Sequence, residues 1–179
     1  MPEIDIKKQK ILIVEDNPHF RTLIQSILQA LGVENIEEAR DGAEAMEVLR
    51  GYDADLAILD WKMDGVDGIE CVRRIRNDTE SPNRFLPIIM LTGYTEESLM
   101  NEARNAGVND FLGKPISAKS LLTRIISVLD QEFSYVETET YFGPDRRRQQ
   151  FPHQGNDRRK EQMNFVKLKV YERMESRVG

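Results

Sequence analysis

Cysteine is almost absent from this chain of 179 residues, and the chain has no long hydrophobic run. The single cysteine, Cys71, excludes an internal disulfide and a metal site built from cysteines. No apolar stretch approaches the roughly 20 residues that span a bilayer, and the first residues lack the charged-then-apolar form of a signal peptide. We therefore expect a cytoplasmic protein without a membrane segment.

Charge is distributed unevenly along the chain. The whole sequence has 25 lysines and arginines against 31 aspartates and glutamates, which gives a net charge of −6. Residues 137–179 hold 10 basic and 7 acidic residues, a charge of +3, so residues 1–136 carry −9. Because long-range charge acts on partners rather than on the fold, this contrast points to interactions of an acidic head and a basic tail.

Short apolar segments alternate with helical patterns along the first 130 residues. Alternation of this kind is typical of βαβ units and predicts a parallel sheet. Two of the segments are almost continuously apolar, as expected for strands that are covered on both faces. The sequence thus predicts an α/β domain with five helices and with five strands near residues 10–15, 35–39, 54–60, 88–92 and 110–113.

Polar side chains stand at the ends of four of these segments. They are the pair Glu15-Asp16, then Asp60, Thr92 and Lys114. In a parallel open sheet the ligand site lies outside the carboxyl ends of the strands, so these side chains are expected to converge. Three carboxylates, one hydroxyl and one ammonium group suit a divalent cation beside a carboxylate that accepts a phosphoryl group. Magnesium would relieve the repulsion among the carboxylates.

Residues 9–131 resemble a response-regulator receiver domain, the module of two-component signalling. The resemblance rests on the acidic pair, on Asp60 in Leu-Asp-Trp-Lys-Met, on Thr92 in Leu-Thr-Gly-Tyr and on Lys114 before a proline. The separations, 44 residues from Asp16 to Asp60 and 22 from Thr92 to Lys114, are those of that family. The resemblance implies a flavodoxin-like, doubly wound parallel sheet of strand order 2-1-3-4-5 with five helices, plus a C-terminal extension.

The resemblance also implies a role for each residue of the site. Asp60 is the expected phosphoacceptor, and Lys114 supplies a positive charge for a phosphate oxygen. Mg²⁺ is the expected cofactor, with Glu15, Asp16 and Asp60 as its ligands. The backbone carbonyl of Lys62 would complete the metal shell.

A switch is implied as well. Phe111 matches the aromatic residue that rotates inward when Thr92 engages the phosphate, and the bond from Lys114 to Pro115 is expected to be cis. Two features depart from the family pattern. The switch aromatic is Phe rather than Tyr, and Asp64 stands where the loop after the acceptor often carries proline. Neither departure touches the chemical positions.

The composition changes near residue 135. We therefore place the receiver domain at residues 9–134 and a separable basic tail at 135–179, and we expect a chain ended near Ser134 to stay folded. Apolar residues at helical spacing predict a terminal helix over Met163–Val178, although Lys167–Tyr171 also alternates like a strand.

The tail contains the motif Gly-x-Asp-Arg-Arg twice, 12 residues apart. Its arginine pairs are Arg146-Arg147 and Arg158-Arg159. They are candidate docking residues for an acidic surface, because the forked donors of arginine suit carboxylates. A solvated basic linker is the alternative of similar weight. Nucleic-acid binding is disfavoured, since the tail is too short for a base-reading domain. Cyclic-dinucleotide binding is disfavoured because a domain of that kind would need several more strands than the tail can supply.

The expected function is a phosphorylation-dependent signalling switch. A histidine kinase or phosphotransfer protein passes a phosphoryl group to Asp60, and the surface of the fourth helix, fifth strand and fifth helix then changes partner. Apart from limited self-phosphorylation and autodephosphorylation, no enzymatic activity is expected. Output is expected through a downstream protein effector, with a homodimer as one arrangement of the switch.

Two other functions are possible on such a fold. A DNA-binding transcriptional regulator that acts through its basic tail is disfavoured by the acidic total charge. A flavoprotein or hydrolase on the same fold is the other rival, because a fold alone does not fix function. A flavodoxin would need a loop rich in Thr and Ser after the first strand, where this chain has Glu15-Asp16-Asn17-Pro18.

Overall fold

The computed structural model describes residues 4–93, 97–145 and 164–169, with the backbone alone for residue 132 and for 164–169. The first five strands are β1 (Lys10–Val14), β2 (Asn35–Ala39), β3 (Leu56–Asp60), β4 (Ile88–Thr92) and β5 (Asp110–Gly113). The helices are α1 (Pro18–Ala30), α2 (Gly42–Gly51), α3 (Gly68–Asn77), α4 (Glu97–Ala106) and α5 (Ala118–Asp130). Among the described residues, none of the helices has both the length and the apolar character required to traverse a bilayer.

The five strands form one parallel sheet in the order β2-β1-β3-β4-β5, which confirms the predicted fold class. The register aligns the carboxyl ends of the central strands. Val14 pairs with Leu59, and Asp60 pairs with Leu91. Since Glu15 directly follows Val14, the acidic pair and Asp60 reach the same edge of the sheet at the same level.

Helices cover both faces of the sheet, so each central strand supplies side chains to two cores. In β1, Ile11 and Ile13 pack with α1 and α5, whereas Leu12 and Val14 pack with α2, α3 and α4. Every residue of β3 and β4 is buried. This burial on both faces explains why those two segments are almost continuously apolar.

Local signals fix where the first and last helices begin. The side chain of Asn17 caps α1 by accepting a hydrogen bond from the N–H of Phe20 at 3.1 Å, and Pro18 occupies the first turn. Ser117 and Ser120 form a capping box at the start of α5. The cap of α1 places that helix directly beyond the acidic pair that follows β1.

The chain continues after α5 into a second, antiparallel sheet. Its strands are β6 (Glu132–Glu137), β7 (Phe142–Pro144) and β8 (Asn164–Lys169), in the order β7-β6-β8. The boundary that the composition predicted between residues 134 and 135 falls inside β6. The predicted terminal helix is wrong for residues 164–169, because pairing with β6 selects their strand-like alternation. The rest of that helix and the four arginines of the repeat lie outside the described residues.

Aromatic residues join this second sheet to the receiver. The ring of Phe85, in the loop before β4, makes edge-on contacts with Tyr135 of β6 and Phe142 of β7, both with centroids 5.1 Å apart. Tyr135 and Phe142 are buried in the same core as α1 and α5. The guanidinium of Arg84 covers the ring of Phe142 at 3.8 Å. We call Phe85, Tyr135 and Phe142 the aromatic junction.

Arg76, near the end of α3, is fully buried beside the aromatic junction. Its guanidinium donates hydrogen bonds to the carbonyl of Gly107 at 3.0 and 3.1 Å, to that of Arg84 at 2.7 Å and to Oδ1 of Asn109 at 2.9 Å. The amide of Asn109 donates in turn to the hydroxyl of Tyr135 at 3.2 Å. Burial lowers the pKa of Arg76. One buried cation thus connects α3, the turn before β5, and β6.

Candidate functional site

Three carboxylates meet at the carboxyl edge of the parallel sheet. Glu15, Asp16 and Asp60 each offer an oxygen atom, and these atoms all lie within 4.8 Å of one another. Glu15 is 1% exposed and Asp60 6% exposed, whereas Asp16 is half-buried. The strand register brings Glu15 and Asp60 together across 45 positions of sequence. The structure therefore assembles the three carboxylates that the sequence singled out.

The ammonium group of Lys114 enters the same cluster. Its Nζ atom lies 2.6 Å from Oδ1 of Asp60 and 3.5 Å from Oε2 of Glu15. The backbone fixes the position of the lysine, because the N–H of Lys114 donates to the carbonyl of Thr92 at 2.9 Å. The peptide bond to Pro115 is cis, as the resemblance implied. Within the described part of the chain, one ammonium group thus enters a cluster of three carboxylates and pairs with two of them, Asp60 and Glu15.

The cluster carries an excess of negative charge, and a divalent cation would relieve the resulting repulsion. Burial raises the pKa of the Glu15 carboxyl, the N–H of Asn17 opposes the shift, and the charge of Asp60 adds to it. The charge of Lys114 and its hydrogen bond also oppose the rise in the pKa of Glu15, but the pKa stays raised because burial is the largest cause. Magnesium prefers a few carboxylate oxygens and keeps open positions for water and phosphate. The donor set and its charge therefore fit Mg²⁺.

Hydrogen bonds orient the acidic pair. Oε1 of Glu15 accepts from the N–H of Asn17 at 3.1 Å, and Oδ2 of Asp16 accepts from the N–H of Asp64 at 2.9 Å. Arg21 of α1 donates to the backbone carbonyl of Glu15 at 2.7 Å. The sequence did not reveal this role of Arg21, because a bond to a backbone carbonyl leaves no residue pattern.

Gly68 lets the start of α3 approach the end of β3. Its N–H donates to the carbonyl of Trp61 at 3.0 Å. A Cβ atom at this position would overlap the carbonyl oxygen of Asp60. Glycine has no Cβ atom and therefore avoids that overlap. The backbone of α3 can thus contact the end of β3 at Asp60, the predicted phosphoacceptor.

The other predicted site residues lie on β4, β5 and the loop after β3. Thr92 ends β4 and is buried. Phe111 of β5 is half-buried, and the guanidinium of Arg104 lies 5.6 Å from its ring centre. Lys62 is exposed, two positions beyond Asp60. Their roles in phosphate sensing and metal binding stay predictions.

We expect the substitution Glu15→Gln to stabilise the metal-free protein at neutral pH. The folded-state pKa of Glu15 is raised, so its contribution to stability is fully present below the ordinary value of about 4.5 and is lost as pH rises through the folded-state pKa. Glutamine stays neutral and retains that contribution. The difference in Tm between variant and wild type, measured in EDTA, should therefore grow as pH rises from about 4.5 to about 8.

The matched control is Asp64→Asn, because Asp64 is exposed and lies in the adjacent loop. This exchange of a carboxylate for an amide outside the cluster should not reproduce the growth of the Tm difference expected for Glu15→Gln. A gain of about 1 kcal/mol moves Tm by about 2–4 °C in a protein of this size, which is measurable. A pH-independent difference for Glu15→Gln would contradict the prediction.

Comparison with known proteins agrees with this geometry. The sequence profile of the response regulator receiver domain matches residues 11–126. The chemotaxis protein CheY-3 of Vibrio cholerae is 35% identical over 125 residues, which cover 70% of this chain and 95% of that protein. The matched region ends inside α5, so the profile covers the parallel sheet, the first four helices and part of α5, and it leaves out the second sheet.

Solved structures give the same result. The chemotaxis protein CheY4 of Vibrio cholerae matches with a TM-score of 0.63 and 32% identity, over 67% of this chain and 98% of that chain. The receiver domain of a sensor histidine kinase from Pseudomonas aeruginosa matches with a TM-score of 0.60 and 31% identity, over 67% and 96%. That structure has a magnesium ion coordinated in its active site cleft. Fold, site and sequence together show that this chain belongs to the response regulator receiver domain family.

Proposed function

We propose that the protein is a phosphorylation-dependent signalling switch with Asp60 as its phosphoacceptor. The observation that carries this proposal is the 2.6 Å contact between Nζ of Lys114 and Oδ1 of Asp60 inside a cluster of three carboxylates. Receiver domains are signalling switches rather than enzymes that act on a separate substrate. A histidine kinase or phosphotransfer protein supplies the phosphoryl group, and a downstream protein receives the signal.

The chemistry is a transfer between two nucleophiles. A carboxylate oxygen of Asp60 attacks the phosphorus of a phosphohistidine, so that a P–O bond forms while the P–N bond breaks and the imidazole regains a proton. Lys114 pairs with an oxygen of the transferred group. Glu15, Asp16, Asp60 and the backbone carbonyl of Lys62 would hold Mg²⁺, which neutralises charge on the phosphoryl oxygens when bound.

The switch follows from the change of charge at Asp60. The phosphoryl group draws in the hydroxyl of Thr92 and the ammonium of Lys114, which lie at the ends of β4 and β5. Phe111 of β5 then rotates. The surface formed by α4, β5 and α5 changes, and with it the affinity for a protein partner.

The substitution Asp60→Asn tests the proposal. Wild-type protein incubated with acetyl phosphate and Mg²⁺ should gain the mass of one phosphoryl group, because acetyl phosphate is a small donor that needs no partner protein. Asp60→Asn should gain none, since an amide oxygen is a far weaker nucleophile. Intact-mass spectrometry measures the adduct directly.

Asp64→Asn is again the matched control, because it removes a nearby carboxylate that lies outside the cluster of three. It should gain the adduct as the wild type does. A phosphoryl adduct that persists in Asp60→Asn at the wild-type level would disprove the assignment.

A further inference from the structure

The ammonium group of Lys114 has a third neighbour that is not a carboxylate. Phe20 lies in the first turn of α1, and Nζ of Lys114 lies 4.3 Å from the centre of its ring. A cation within about 6 Å of a ring centre is attracted by the negative face of the aromatic ring. The side chain of Lys114 is 29% exposed and the ring is half-buried, so water weakens this attraction only in part.

We propose that Phe20 is a positioning residue for phosphoryl transfer, acting through Lys114. The inference rests on the proposed function of Asp60. Among the described residues, two of the three groups that contact the ammonium, Asp60 and Glu15, are the carboxylates that must turn to Mg²⁺ and to the phosphoryl group. Neither can hold Lys114 throughout the reaction. The ring of Phe20 binds no metal and accepts no phosphoryl group, so its contact with the ammonium persists while the other contacts change.

The local structure fixes the ring where this role requires it. Asn17 accepts a hydrogen bond from the N–H of Phe20, and the N–H of Asn17 donates to the carboxylate of Glu15. The same short turn therefore orients one carboxylate of the site and the aromatic ring opposite it. The ring lies on α1, whereas Lys114 follows β5, so the contact also links two elements that do not neighbour each other in sequence.

Phe20 also packs against the core that α1 shares with α5, and this packing could be its whole role. Two substitutions separate the explanations. Phe20→Leu keeps apolar bulk and removes the aromatic face, whereas Phe20→Tyr keeps the face. A packing role predicts that the two variants differ in Tm alone. A positioning role predicts that they differ in what happens at Lys114.

The first measurement needs neither metal nor phosphate. Protons of a methylene group held over an aromatic face resonate upfield because of the ring current. The ε-methylene resonance of Lys114, assigned by NMR in EDTA, should lie upfield in the wild type and in Phe20→Tyr and move to the ordinary lysine position in Phe20→Leu. An ordinary position in the wild type would overturn the contact.

The second measurement is the rate constant of phosphorylation by acetyl phosphate in saturating Mg²⁺. Phe20→Leu should lower it by about 2- to 30-fold, the range that corresponds to a cation–π contact of this kind. Phe20→Tyr should retain most of the rate. Leu23→Ala, at an exposed position on α1, is the control for a general effect on the helix and should be unchanged.

A double-mutant cycle with Lys114→Met completes the test. If Phe20 acts through Lys114, then Phe20→Leu has no further effect on the rate in the Lys114→Met background. An equal fall in both backgrounds, or no fall in either, would overturn the inference while Asp60 stays the acceptor. A wild type that gains no phosphoryl group at Asp60 would instead overturn the proposed function, and the inference with it.

Discussion

A chain ended after Ser134 is expected to lose about 5 kcal/mol or more of unfolding free energy, which reverses the expectation from the sequence that such a chain stays folded, because the cut falls inside β6. It lacks Tyr135 and Phe142, two of the three rings of the aromatic junction, and removal of one buried aromatic side chain costs about 3–5 kcal/mol. The whole stability of a domain is about 5–15 kcal/mol. The shortened chain should therefore melt far below the full-length protein or fail to fold.

Polar contacts are lost together with the rings. The hydroxyl of Tyr135 donates to the carbonyl of Phe85 at 2.9 Å, and it accepts from the amide of Asn109. Arg84 loses both the ring of Phe142 and its ion pair with Glu137 at 3.1 Å. An unpaired buried polar group costs about 1–3 kcal/mol, so the bonds lost with the Tyr135 hydroxyl add to the cost of the exposed rings. The Arg84–Glu137 pair is more exposed, and its loss adds little.

Thermal and urea unfolding of two shortened chains would measure the effect. The matched control ends after residue 145 and so keeps β6, β7 and the complete aromatic junction. It should retain much more of the stability than the chain ended after Ser134. A Tm of the shorter chain within about 2 °C of the full-length value would show that the second sheet adds nothing to the receiver core.

The substitution Arg76→Met is expected to lower the unfolding free energy by about 3 kcal/mol. Methionine fills much of the volume of the arginine side chain but donates no hydrogen bond. The carbonyls of Gly107 and Arg84 and the side chain of Asn109 then lose a hydrogen-bond donor in the protein interior. Among the described residues, Arg76 contacts carbonyl oxygens, the side chain of Asn109 and a tyrosine ring but no carboxylate, so its removal leaves no described carboxylate without a counter-charge.

Arg74→Met is the control, because Arg74 lies on the same helix and forms a partly exposed ion pair with Glu70. A pair of that kind contributes less than about 1 kcal/mol, so the control should change little. Equal urea midpoints for the two variants would contradict a structural role for the buried guanidinium.

The hydrogen-bond network of Arg76 and the carboxylate cluster can be tested independently of each other. Asn109 precedes β5, whereas Lys114 follows it, so the Arg76 network and the carboxylate cluster lie at opposite ends of the strand. Substitutions in the network should lower stability while the folded fraction still takes a phosphoryl group at Asp60. Substitutions at Asp60 should abolish the adduct and leave the protein folded.

The sequence by itself determined the parallel sheet and the position of the site. Strands covered on both faces must be largely apolar, so segments such as 54–60 could be identified as strands from their own residues alone. Glu15, Asp60 and Lys114 could be grouped because parallel strands end at one edge, whatever their separation in sequence.

Only the tertiary structure decided how the chain continues after α5. Residues 164–169 fit both a helix and a strand, and the hydrogen bonds offered by β6 selected the strand. The junction of Phe85 with Tyr135, the buried bonds of Arg76 and the ring of Phe20 over Lys114 were not predicted either. Each joins residues far apart in sequence through an aromatic face or a backbone carbonyl, and such partners leave no periodic or charge pattern for sequence reasoning to find.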